Sequence, residues 1–133
     1  MGLRCLIVDD YARYCEAARA LLESEGITVV GVATSGDECA WLLRRFRPDV
    51  VLIDIYLGAE SGFQLADGVA SGAFGARATV ILMSIRDERD FLDLIEESPA
   101  IGFLAKRSLS AADIHTLLER AAGEGRVSAR RET

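Results

Sequence analysis

Five apolar segments rich in Val, Ile and Leu punctuate the chain: LRCLIV (3–8), ITVVGVA (27–33), DVVLI (49–53), ATVILM (78–83) and AIGFLA (100–105). Most are continuous runs rather than alternations, the pattern of parallel strands covered on both faces. Between them lie stretches of helical period. In the last, Ser110 and Asp113 make a capping-box pattern, and Ile114, Leu117, Leu118 and Ala121 share one face. Ser35 with Glu38, and Ser61 with Gln64, mark two further helix starts, while Gly26 and Pro48 stop the first and second helices. Strand and helix alternate five times, with no internal repeat. This alternation predicts an α/β fold: a doubly wound five-stranded parallel sheet of order 2-1-3-4-5, with its ligand crevice between the first and third strands.

A chain of 133 residues fits one domain with a substantial core. Its net charge of -6 argues against a nucleic-acid footprint, which needs a basic face. Cys5, Cys15 and Cys39 are widely spaced and odd in number, so they read as reduced, packed thiols rather than a disulfide framework or zinc site. The start, MGLRCLIVDD, lacks a signal-peptide apolar stretch, and no run approaches membrane-spanning length. A cytoplasmic protein without membrane attachment is the expectation. Residues 1–122 are expected to form the domain, and residues 123–133, rich in Gly and Arg, a mobile tail or the start of a linker.

In a parallel sheet the C-terminal ends of all strands share one edge. The first strand runs into Asp9 and Asp10, the third into Asp54, the fourth into Ser84 and the fifth into Lys106. Each has a bland explanation alone: an aspartate or serine after a strand commonly caps a helix or opens a turn. Together they are harder to dismiss. Two carboxylates about 5 Å apart repel by roughly 3 kcal/mol at an effective dielectric near 20, so gathering three requires something to offset them. Lys106, the chain's one lysine beside fourteen arginines, offsets one charge. The remainder suits a hard divalent cation, and oxygen ligands favour Mg²⁺ over zinc.

A carboxylate, a hydroxyl, a lysine and magnesium are the equipment of phosphoryl transfer. No Gly-rich phosphate loop follows the first strand, so the phosphoryl group is expected from another molecule rather than from a bound nucleotide. His115, the single histidine, lies inside the last helix and reads as a helix-face residue, consistent with a donor in trans.

The pattern LIVDD…VVLIDIYLG…SG…VILMS…GFLAK resembles the receiver domain of two-component response regulators over roughly residues 3–122. The resemblance implies a flavodoxin-like (βα)₅ fold and a phosphorylation switch. Asp54 would accept a phosphoryl group from a sensor histidine kinase or phosphotransfer protein. Asp9 and Asp10 would hold Mg²⁺ with Asp54 and the backbone carbonyl of Tyr56. Ser84 would be the switch hydroxyl, Phe103 the coupled switch aromatic, and Lys106 the partner of the phosphoryl oxygens. The face formed by the fourth helix, fifth strand and fifth helix would bind a target or a second copy, making a homodimer. An output domain for transcription control would lie outside these residues, or the protein would act alone. Leu92, Leu94 and Ile95 are expected to be mostly core, leaving few apolar residues for that face.

Several positions depart from the family pattern. Leu57-Gly58 replaces Met-Pro, and Gly58 makes that loop more permissive. Lys106 is followed by Arg107 instead of a cis proline, which predicts a trans bond and a shifted loop, because a cis bond there costs roughly 3 kcal/mol. Tyr56 and Arg86 stand two residues beyond Asp54 and Ser84, and their bulk predicts a long-lived phosphoryl group. Two rivals remain. An aspartyl-nucleophile Mg²⁺ phosphatase would normally carry an acid where Tyr56 stands. A degenerate receiver, acting by binding alone, is disfavoured by the intact acids, Ser84 and Lys106.

Overall fold

The computed structural model describes residues 2–125. Its elements run β1 (Arg4–Val8), α1 (Ala12–Ser24), β2 (Thr28–Ala33), α2 (Gly36–Phe46), β3 (Val50–Asp54), β4 (Tyr56–Leu57), β5 (Glu60–Ser61), α3 (Gly62–Ser71), β6 (Thr79–Ser84), α4 (Leu92–Glu97), β7 (Gly102–Ala105) and α5 (Ala111–Gly123). Short 3₁₀ turns at Glu88–Asp90 and Lys106–Ser108 precede α4 and follow β7. The main sheet has the order β2-β1-β3-β6-β7, and every pairing in it is parallel. With β6 and β7 as the fourth and fifth apolar segments, this is the expected doubly wound order.

The continuous apolar runs are explained by burial on both faces. Alternate residues of each strand point to opposite layers. Leu6, Val8, Val51, Ile53, Val80 and Leu82 join the core with α2, α3 and α4, while Cys5, Ile7, Val50, Leu52, Ile81 and Met83 join the core with α1 and α5. All five residues of β3, the central strand, are buried. The three cysteines are free and buried, and burial pushes their thiols up, Cys15 and Cys39 to about 11.

The helix ends follow the sequence signals with local differences. Ser35, Ser61 and Ser110 each cap a helix by accepting backbone N–H groups through the hydroxyl. The reciprocal half of the box at α2 is displaced by one residue: the Glu38 carboxylate accepts from the amide and hydroxyl of Thr34, not from Ser35. These bonds hold the Glu38 carboxyl below its usual range. Gly26, with φ of 98°, lies just beyond α1, and Arg47, with φ of 46°, ends α2 before Pro48.

The region around α4 corrects one expectation. Leu92 and Leu94 are 47% and 50% exposed, and only Ile95 of the three is buried. The helix has six residues, too short to present a full stripe, and its inward contact is made by Phe91 and Ile95, one turn apart. The boundary expected at residue 122 falls inside α5, which runs to Gly123. The tail expected over 123–133 otherwise lies mostly outside the described residues. Among the described residues no helix is long and apolar enough to cross a membrane.

Candidate phosphoryl-transfer site

Because β1, β3, β6 and β7 are parallel, their C-terminal ends deliver Asp9, Asp54, Ser84 and Lys106 to one edge. Asp54 and Ser84 are the last residues of β3 and β6, while Asp9 and Lys106 immediately follow β1 and β7. All four are buried. Asp10 follows on the exposed side, and carboxylate oxygens of Asp9, Asp10 and Asp54 lie within 4.8 Å of one another.

Lys106 balances this cluster. Its Nζ lies 2.6 Å from Oδ2 of Asp9 and 3.2 Å from Oδ2 of Asp54. The contact to Asp54 is a hydrogen bond, whereas that to Asp9 is an ion pair without hydrogen-bond geometry, so Asp9 Oδ2 remains buried with no hydrogen-bond partner. Burial tends to lower the Lys106 ammonium's pKa, but the close Asp9 carboxylate and the charge of Asp54 raise it above the ordinary value overall. The group therefore stays charged through neutral pH. Burial raises Asp54 above the usual carboxylate range, opposed by Lys106 and reinforced by Asp9.

The remaining oxygens are held locally. Asp9 Oδ1 accepts from the Tyr11 amide at 2.8 Å, and Asp54 Oδ1 from the Tyr56 amide at 3.1 Å. The turn-forming role considered for these aspartates is real, but it occupies one oxygen of each and leaves the other facing the cluster. Ser84 Oγ accepts from the Arg86 amide at 3.1 Å and does not cap a helix, since the next turn is Glu88–Asp90 and Asp87 precedes it. Phe103 is half-buried against the core beside α3 and α4, on β7 between Gly102 and Leu104.

Three features escaped the sequence reasoning. Tyr14, on the buried stripe of α1, donates its hydroxyl to the Lys106 carbonyl at 3.1 Å, and the Lys106 ammonium lies 4.4 Å from its ring centroid. Burial first, then Asp9 and Asp54, push the Tyr14 phenol upward, keeping it a donor. The segment after Asp54 forms a hairpin in which Tyr56 pairs with Ser61 and Leu57 with Glu60. The two-residue turn has φ of 59° at Gly58, a left-handed conformation that glycine adopts readily, while Ala59 stays in the ordinary range, and the glycine was its signal. A Cβ at Gly58 would lie 3.1 Å from Asp10 Oδ2, so the turn packs closely on that acid.

The substituted loops also have partners. No peptide bond among the described residues is cis, so Lys106–Arg107 is trans as expected and enters a 3₁₀ turn. Arg107 reaches across to Asp87 at 3.0 Å and to the Ile85 carbonyl at 3.4 Å, tying the loop after β7 to the loop after β6. The Arg86 guanidinium lies 5.6 Å from the Tyr56 ring centroid, and Tyr56 makes an edge contact with Phe91 at 5.9 Å. His115 is exposed on α5.

The donor set fits a hard divalent cation. It offers three carboxylates whose oxygens lie within 4.8 Å of one another, with Asp10 open to solvent and the buried Asp9 Oδ2 held by the Lys106 ammonium alone.

Comparison with known proteins agrees with this geometry. The response regulator receiver domain matches residues 5–119. NarL of Mycobacterium tuberculosis is 32% identical over 127 residues, covering 95% of this chain and 58% of that protein. The transcriptional regulatory protein PdtaR of the same organism is 27% identical over 116 residues, covering 87% and 55%. The solved signal receiver domain of NarL superimposes with a TM-score of 0.72 at 31% identity, covering 92% of this chain and 98% of that one. The chain thus spans little more than half the length of these two curated relatives.

The chain belongs to the response regulator receiver domain family of two-component signalling. Receiver domains bind Mg²⁺ at an acidic pocket and act with histidine kinases or phosphotransfer proteins, generally as switches rather than enzymes.

Proposed function

We propose that Asp54 is the phosphoacceptor of this receiver, and that its phosphorylation switches a protein-binding face in the cytoplasm. The observation that carries this reading is the Asp54 carboxylate, tied at Oδ2 to Lys106 within a cluster containing Asp9 and Asp10. An Asp54 oxygen would attack the phosphorus of a partner's phosphohistidine. The P–N bond breaks as the P–O bond forms, and the imidazole leaves with the electron pair and takes up a proton.

Asp9, Asp10, Asp54 and the Tyr56 carbonyl would hold Mg²⁺. When bound, the ion would offset negative charge on the phosphoryl oxygens. Lys106 would move from its carboxylate partners toward those oxygens. Ser84 is restrained by its bond from the Arg86 amide, and turning its hydroxyl toward a phosphoryl oxygen would draw the β6–α4 loop with it. Phe103, half-buried on β7, would respond by a change in burial. Exposed Leu92 and Leu94 give the α4–β7–α5 face apolar contacts for a target or second copy.

Incubation with Mg²⁺ and acetyl phosphate, followed by intact mass measurement, tests the reading. One phosphoryl adduct on the wild-type chain and none on Asp54→Asn supports it. Equal labelling of both chains, or no labelling of either, contradicts it.

A further inference from the structure

We propose that Glu60 is a positioning residue for the metal site, acting through the β4–β5 hairpin. Glu60 lies on β5, opposite Leu57 of β4, so its side chain can restrain the segment that carries Tyr56 and Gly58. Its Oε1 accepts the Gly36 amide hydrogen at 2.9 Å across 24 positions of sequence, at the first turn of α2. The bond satisfies one of the amides that a helix start leaves without an intrahelical partner, and the negative charge suits that end of the helix. Glycine at position 36 permits the approach: a Cβ there would lie 2.6 Å from Glu60 Oε2 and 2.9 Å from Leu65 Cδ2.

The tether bears on the acids because the hairpin is sandwiched between them and α2. At one end the Tyr56 amide holds Asp54 Oδ1, and at the turn Gly58 lies against Asp10 Oδ2. Leu57 buries the hairpin's apolar side, but the exposed Gly58–Glu60 segment has the Glu60 bond as a direct link to α2. Releasing Glu60 would let the turn shift relative to Asp10 and let the Tyr56 backbone rotate. Glu60 itself lies outside the cluster of Asp9, Asp10 and Asp54. The inference rests on the proposed use of Asp9, Asp10, Asp54 and Tyr56 to hold a cation.

The test uses Mn²⁺ as the probe ion. Direct binding is followed by the electron paramagnetic resonance of free Mn²⁺, and Asp54 labelling by acetyl phosphate is followed in parallel across a Mg²⁺ titration. Glu60→Ala should weaken Mn²⁺ binding about tenfold, the lower end for groups that support metal ligands. It should raise the half-saturating Mg²⁺ for labelling similarly while leaving the rate at saturating Mg²⁺ near wild type. Glu60→Gln keeps an oxygen acceptor for Gly36 but removes the charge. Binding within about twofold of wild type in Glu60→Gln supports positioning, whereas loss equal to that of Glu60→Ala would assign the effect to charge and overturn the inference. Gly36→Ala, which displaces the carboxylate without changing charge, should reproduce Glu60→Ala. Wild-type protein that binds Mn²⁺ and labels, with Glu60→Ala indistinguishable from it, overturns this inference alone. Wild-type protein that does neither overturns the proposed function and this inference with it.

Discussion

Lys106 Nζ lies 2.6 Å from Asp9 Oδ2, joining the segments that follow β7 and β1, and the same ammonium holds Asp54 at 3.2 Å. One buried cation therefore serves two carboxylates from two neighbouring strands of the sheet. A receiver needs its acids close enough to share a metal, and their mutual repulsion makes that arrangement costly. The lysine relieves the cost before any metal arrives, and Tyr14 holds the lysine from both its ring and its hydroxyl.

Lys106→Ala should therefore destabilise the metal-free protein by about 3 kcal/mol, because the buried acids lose the ammonium between them while their charges remain. Urea denaturation in EDTA measures this. Adding Mg²⁺, or Asp54→Asn in the same chain, should recover much of the loss. Stability equal to wild type would show that the acids are already relieved by solvent.

Mg²⁺ should raise the melting temperature of the wild-type chain and not of Asp10→Asn. Ligand bound only to the folded state contributes about 2.7 kcal/mol at a hundredfold excess over Kd. Asp10 is exposed, so its replacement should barely change the melting temperature in EDTA. A difference that appears only with the ion assigns Asp10 to metal binding rather than folding.

Leu94→Ser should change stability by about 0.5 kcal/mol or less, while Ile95→Ala should cost about 2–4 kcal/mol. Leu92 and Leu94 of the short α4 face solvent and Ile95 faces the core, so chemical denaturation of both variants tests the orientation of this helix directly. A large loss in Leu94→Ser would reverse it.

Tyr56 and Arg86, in contact with each other and two residues beyond Asp54 and Ser84, should slow hydrolysis of the phosphoryl group. Removing the ring with Tyr56→Ala should shorten the adduct's lifetime about tenfold, followed by intact mass after acetyl phosphate is withdrawn. Wild-type adduct lost within seconds, or unchanged lifetime in the variant, would count against this role.

Much of this architecture is readable from local sequence. LIV, VVLI and VILM specify central strands because both faces of the sheet are covered, and strand polarity then carries Asp9, Asp54 and Ser84 to one edge. Ser35, Ser61 and Ser110 announce helix starts because capping is a short-range interaction. The contacts that tune the site are less visible. Tyr14 meets Lys106 across 92 positions, Glu60 meets Gly36 across 24, and Arg107 meets Asp87 across 20. None follows from periodicity. Leu92 and Leu94 misled because hydrophobicity reports a helix face reliably only when the helix has enough turns to define one.

Borohydride trapping reads directly whether Asp54 supplies the oxygen of the new P–O bond. Wild-type protein labelled by acetyl phosphate with Mg²⁺ is reduced with borohydride, which converts an aspartyl phosphate to homoserine, and the proteolytic peptides are sequenced by mass spectrometry. Homoserine is expected at position 54, with Asp9 and Asp10 unchanged. Homoserine at either of those positions, or a labelled chain with Asp54 intact, would contradict it.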